Sequence, residues 1–246
     1  MKRTSKLVLV GNLVCFAVSA QIPVGYNADN ESFGMQPMLQ YAFQQLNSKS
    51  LNSLGAKVNY KGSPFVIRTF VKGRIFSNDG YEGEAYLRHD GYNDEIQLKS
   101  SVQDSLILKL VQNDSIYCFL GNDKVLYREF YDKKGELHRG HLYQLIETDT
   151  MVLFERRNKI YKEGKAATTS FELPVANRFI LERELYVLDK EEQKINYFKA
   201  SKKKILELFS NEKQKAQSIK GFLSKNRLSY KDPKDVKRVF SYYNTL

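Results

Sequence analysis

The chain has 246 residues, with 39 Lys or Arg against 28 Asp or Glu, a formal net charge of +11, two Cys and no Trp. That length suits one medium domain with an appendage and buries a core without covalent staples. A hydrophobic content of 42% excludes a disordered chain, and two cysteines exclude a disulfide framework.

Met1 to Ala20 reads as an export signal. Lys2, Arg3 and Lys6 precede an apolar stretch from Leu7 to Val18 that is too short to span a bilayer, and Val18-Ser19-Ala20 forms a small-residue cleavage site. A lipoprotein signal is disfavoured because Val14, not a small residue, precedes Cys15. The mature protein is expected to start near Gln21, to carry no transmembrane segment, and to reside in the periplasm or be secreted. Cys15 leaves with the signal. The remaining Cys118, within the apolar run 116–120, is expected to be a buried small hydrophobe.

Removal of the three signal bases leaves a balance of +8, and residues 199–246, with 13 basic and 4 acidic side chains, hold +9 by themselves. The stretch 21–198 is therefore close to neutral, and the excess positive charge belongs to the C-terminal part. Such asymmetry marks either a solvated helical surface or an anionic partner.

Residues 21–60 form a polar lead-in, with one short helix expected within 37–54. Strand-length runs then recur every eight to twelve residues over 61–199, broken by Asn78-Asp79-Gly80, His89-Asp90-Gly91, Ser100-Ser101, Asn113-Asp114, Asn122-Asp123, Lys133-Lys134-Gly135, the small-residue loop 164–169 and 189–194. Tyr92 to Lys99 is taken as one of these strands. The fold class expected is α+β: an antiparallel meander, sandwich or partly open barrel, followed by short amphipathic helices over 200–246 that pack on the β-domain. Asp232-Pro233 is a helix start, with Asp as N-cap and Pro in the first turn, and Val236, Val239, Phe240 and Tyr243 form an apolar stripe.

The chemistry-bearing residues are sparse. His138 and His141, three apart on a strand, should lie on opposite faces; no zinc-type motif accompanies them, and surface positions with no metal are expected for the histidines. No phosphate loop, nucleophile elbow or HExxH motif occurs, so no catalytic residue is assigned and no cofactor is expected. Asp104-Ser105-Leu106, Asp114-Ser115-Ile116 and Asp149-Thr150-Met151 resemble the Asp-Ser/Thr-apolar acceptor of O-glycosylation in exported Bacteroidota proteins, with Ser105, Ser115 and Thr150 as acceptors.

Lys61-Gly62-Ser63-Pro64-Phe65, Tyr92-Asn93-Asp94-Glu95-Ile96 and a tail running from Lys202-Lys203-Lys204 through Phe222-Leu223-Ser224-Lys225-Asn226 to Tyr242-Tyr243-Asn244 resemble a family of uncharacterised exported β-rich Bacteroidota proteins with a Lys-rich helical C-terminus. The resemblance covers roughly 61–246 and implies export and domain extent, but no activity.

The function expected is that of a non-enzymatic cell-envelope interaction module. Its cationic face would comprise Lys202, Lys203, Lys204, Lys213, Lys220, Lys225, Arg227, Lys237 and Arg238, for an anionic envelope component such as a lipid head group, a polysaccharide or an acidic protein. Export argues against a nucleic-acid partner. A carrier of an apolar ligand in a curved-sheet cavity is the alternative, on analogy with envelope lipid carriers, and a carboxylate-dependent hydrolase the second. The charged amphipathic end of the chain argues against an outer-membrane barrel.

Overall fold

In a computed structural model of the protein the described residues are 43–45, 60–169, 171–210 and 213–246. The export segment and most of the lead-in lie outside them. Within the helix expected over 37–54, the described residues Phe43–Gln45 form a strand.

Twelve strands build one mostly antiparallel sheet: β1 (Phe43–Gln45), β2 (Tyr60–Lys61), β3 (Val71–Ser77), β4 (Gly80–Asp90), β5 (Glu95–Lys99), β6 (Leu108–Leu110), β7 (Tyr117–Leu120), β8 (Asp123–Tyr131), β9 (Leu137–Glu147), β10 (Met151–Lys162), β11 (Asn177–Asp189) and β12 (Lys194–Tyr197). Three helices follow: α1 (Lys202–Leu208), α2 (Lys213–Asn226) and α3 (Pro233–Tyr243). The main path runs β1-β6-β5-β4-β3-β7-β8-β12-β11-β10-β9, and β2 adds to β11 in parallel. β8 also pairs with β9 along Lys124–Tyr131, and its end meets β12 at Tyr131↔Asn196. Strands β8 to β12 thus close a ring, β2 adds to β11, and β7, β3, β4, β5, β6 and β1 extend from β8 as an open sheet.

Alternation along the strands sorts side chains into three cores. Cross-strand partners Leu126↔Leu142 and Phe154↔Tyr186 point into the ring, where they pack with Phe130, Val152 and Ile195. The opposite face of β10 and β11 presents Leu153, Leu185 and Val187 to Ile205, Phe209, Ile219, Leu223, Val239 and Phe240 of the helical segment. Ile75, Leu87, Ile96, Leu98, Cys118 and Val125 line one face of the open sheet and end against Tyr143 of β9. Cys118 is buried, as expected, and burial pushes its thiol well above the ordinary range, which keeps it a protonated, inert packing group.

The turn expected at 89–91 falls further on. His89 and Asp90 complete β4, residues 91–94 turn, and β5 begins at Glu95, not at Tyr92. The reason is local. The Asp90 carboxylate accepts the backbone N–H groups of Tyr92 (3.0 Å) and Asn93 (3.1 Å) and the Asn93 side-chain amide (3.0 Å), which closes the turn one step after Asp90. Asp94 then takes a left-handed conformation, φ +54°. At Gly91 the turn comes so close to β10 that a Cβ would sit 3.1 Å from the Arg157 carbonyl, and the Gly91 carbonyl accepts the Lys159 N–H at 2.9 Å.

Helix α3 starts as its sequence dictates. The Asp232 side chain accepts the Lys234 N–H at 2.9 Å, Pro233 occupies the first turn, and Val236, Val239, Phe240 and Tyr243 are all buried. Phe240 is wholly enclosed and meets Phe209 edge-on at 5.3 Å between ring centroids. Phe240→Ala should lower unfolding stability by about 3–5 kcal/mol, the cost of a large aromatic cavity. Asp232→Ala should cost only about 1 kcal/mol, the worth of one cap. Urea unfolding of the two variants beside the parent checks the ranking.

Candidate functional site

Two features stand out. The first is the helical segment. Lys202, Lys203, Lys204, Lys213, Lys220, Lys225, Arg227, Lys237 and Arg238 are all exposed, while the apolar stripes of the same helices are buried against β10 and β11. Lys203 and Lys204 pair with Glu207 at 3.9 and 2.8 Å, and Arg238 pairs with Asp235 at 3.1 Å. Among the described residues Lys202, Lys213, Lys220, Lys225, Arg227 and Lys237 make no ion pair; Lys202 donates to the Ser224 hydroxyl at 3.4 Å.

The second feature is a buried polar cluster where the β4–β5 turn meets β9. The sequence placed the histidines on the surface; His138 is half-exposed there, but His89 and His141 are only 1% and 3% exposed. The expectation fails because His89 ends a strand whose inner face belongs to the open-sheet core, and because β9 is covered on its Tyr143 side by the turn itself. The opposite-face reading of His138 and His141 holds: His138 stacks beside Phe130, its cross-strand partner, whereas His141 lies on the face of Tyr127 and Tyr143.

Asp94 organises the cluster. Its carboxylate accepts the His141 backbone N–H at 3.2–3.3 Å and the His141 Nδ1–H at 3.1 Å, and faces His89 Nε2 at 3.4 Å. The Asp94 carbonyl also accepts from His141 Nδ1 at 3.0 Å and from Gln112 Nε2 at 2.9 Å. Burial works against ionisation of Asp94, but the hydrogen bonds from His141 and His89 outweigh it and hold the carboxyl far below the usual range. For His89, burial is the largest effect and lowers the imidazole below its ordinary value despite Asp94, so the ring is neutral near pH 7. A neutral His89 that donates from Nε2 to the ionised carboxylate must accept at Nδ1, and there the Tyr143 hydroxyl lies at 2.8 Å as the donor. Space for the carboxylate exists because residue 140 is glycine: a Cβ there would collide with Asp94 Oδ2.

The polar chain continues through Tyr143. Arg157 lies 3.9 Å over the Tyr143 ring and binds Glu155 at 2.8 Å and Asp123 at 2.5 Å. Burial opposes the Arg157 charge, and the two carboxylates outweigh it to raise its pKa. Glu155, 1% exposed, is also 3.4 Å from Arg183.

Sequence reasoning missed His89, Asp94 and His141 as a group. Asp94 was taken as a strand residue; the one local signal was Asp90-Gly91, an Asx-type turn start followed by two more polar residues. A second trio, Asp132, Glu136 and His138, sits at the exposed β8–β9 turn, where Asp132 is committed to the N–H groups of Lys134 and Glu136. Of the possible glycosylation acceptors, Ser105 and Thr150 are exposed and Ser115 is half-buried. Among the described residues no helix is long and apolar enough to cross a membrane. No protein-family model, curated protein or solved structure matches the chain.

Arg157 is the hinge of this network's stability. Arg157→Ala removes the guanidinium from a carboxyl group buried at Glu155 and should cost about 3–5 kcal/mol. Adding Glu155→Gln should recover part of the loss, which a double-mutant cycle by thermal or urea unfolding measures.

Proposed function

We propose that the protein is an exported cell-envelope interaction module, without catalysis of its own, whose C-terminal helices present a cationic face to an anionic envelope component. One observation carries this reading. The helices spend their apolar stripes on the sheet and leave nine basic side chains in water, six of them without an ion pair among the described residues. A solvated helix needs no such excess. Near an anionic surface each Lys or Arg contributes about 1 kcal/mol, and the attraction falls off over about 8 Å at physiological ionic strength. The export signal and the resemblance to exported Bacteroidota proteins support the location.

The carrier alternative has less support. The ring interior is occupied by Leu126, Phe130, Phe154 and Tyr186. An open groove of about 440 Å³ lies between β12 and α1, with charged Asp189, Glu192, Lys204 and Glu207 on its walls. For the hydrolase alternative, the neighbouring carboxylates Asp90 and Asp94 are both tied to turn amides or histidines.

Two measurements test the reading. Purified mature protein should co-sediment with vesicles containing anionic lipid, or with acidic envelope polysaccharide, and release at high salt. The triple variant Lys213→Glu, Lys220→Glu, Lys225→Glu should lose most of the binding. Binding that is absent or indifferent to salt overturns the proposal. Protein isolated from its native host should be shorter by the first twenty residues and heavier by glycan at Ser105, Ser115 or Thr150; an intact mass equal to the bare mature chain removes the modification.

A further inference from the structure

We propose that His89, Asp94 and His141 form a binding site for one divalent transition-metal ion of the zinc type. The ligands would be His89 Nε2, a carboxylate oxygen of Asp94 and His141 Nδ1. These three atoms lie within 4.8 Å of one another. His141 Nδ1 and His89 Nε2 stand 3.1 and 3.4 Å from Asp94 Oδ1. A tetrahedral zinc ion with bonds of 2.0–2.1 Å separates its ligand atoms by about 3.3 Å, so the two measured edges already have the size the ion requires.

The surroundings suit the same ion. Two imidazoles and one carboxylate favour zinc and its neighbours in the transition series over calcium or magnesium, which prefer six or more oxygens. The Asp94 carboxylate stands between the two imidazoles and supplies the one anionic ligand of the set. Behind His89, the Tyr143 hydroxyl at 2.8 Å fixes the ring orientation, as outer-shell partners of ligating histidines do. The frame is rigid: one ligand ends β4, one sits in a turn held by Asp90, and one lies within β9. The Asp94 side chain is 23% exposed, which leaves an entry path for the ion.

Protons balance without an outside base. The hydrogen on His89 Nε2 moves to Nδ1, where it is donated to Tyr143 Oη as that hydroxyl turns from donor to acceptor. The hydrogen on His141 Nδ1 moves to Nε2. The ion replaces the hydrogen bonds that His89 Nε2 and His141 Nδ1 make to the Asp94 carboxylate and the one from His141 Nδ1 to the Asp94 carbonyl.

The test starts from chelator-treated, folded wild-type protein. Zinc titration by calorimetry should give one saturable site, and Co²⁺ should produce the intense visible bands of tetrahedral coordination, bleached by added Zn²⁺. His141→Ala and Asp94→Asn should abolish both signals. Tyr143→Phe, which keeps all three ligands, should weaken zinc binding about 10- to 100-fold. His138→Ala, in the exposed trio, should change nothing. A Co²⁺ spectrum of the six-coordinate hydrated ion in the wild type overturns the site without recourse to any variant. So does zinc uptake that survives His141→Ala, or uptake that depends on His138.

Discussion

A single carboxylate holds the two halves of the sheet against each other. Asp94 reaches from the β4–β5 turn to the backbone and the imidazole of His141, 47 residues later, and to His89 on its own hairpin. Backbone bonds alone join the turn to β10 only at Gly91–Lys159. Without the carboxylate, His89 would be a buried imidazole with one polar side unmet, and the His141 N–H would lose its acceptor. Each such vacancy costs about 1–3 kcal/mol, comparable to a good part of a domain's net stability. Two glycines make the approach possible, Gly91 against β10 and Gly140 beneath the Asp94 carboxylate. The open-sheet core, whose last member is Tyr143, is closed at this end by polar contact instead of apolar packing.

The same division of labour explains the helices. A five-strand ring has an outside as well as an inside. Its inside is filled by its own side chains, and the outer face of β10 and β11 would otherwise expose Leu153, Leu185 and Val187 to water. The C-terminal segment covers that face and is amphipathic for this reason. Its apolar stripe is set by packing, but nothing in packing demands that the outward residues be cationic. The concentration of lysine there, against a near-neutral β-domain, is the part of the sequence that folding leaves unexplained.

Features governed by local periodicity were legible from the chain. The strand rhythm, the Asn78-Asp79 turn, the burial of Cys118 and the α3 start at Asp232-Pro233 all depend on residues within a few positions of one another. Residues 151–162 form one twelve-residue strand, in which the charged Glu155-Arg156-Arg157 stretch finds partners on other strands at Arg183, Glu184 and Asp123. The His–Asp–His cluster was illegible for a different reason. Its members lie 5 and 47 residues apart, and their meeting depends on how far the open sheet curls towards the ring. Placing the strand start three residues early, at Tyr92 instead of Glu95, also assigned Asp94 to a strand, where an Asp beside Glu95 is an ordinary edge residue.

The location of the cluster bears on how the chain is held together. Cys118 is enclosed in the core, and among the described residues no second cysteine is within reach to form a disulfide staple. The junction between the turn and β9 is where a staple would act, because it closes a long loop and is otherwise secured by a few hydrogen bonds. A metal ion bound there stabilises the native state in proportion to its affinity, since the unfolded chain scatters the three ligands. Such a staple needs neither an oxidant nor a second cysteine. It would leave the cationic helices, which touch a different face of the ring, free to meet a partner.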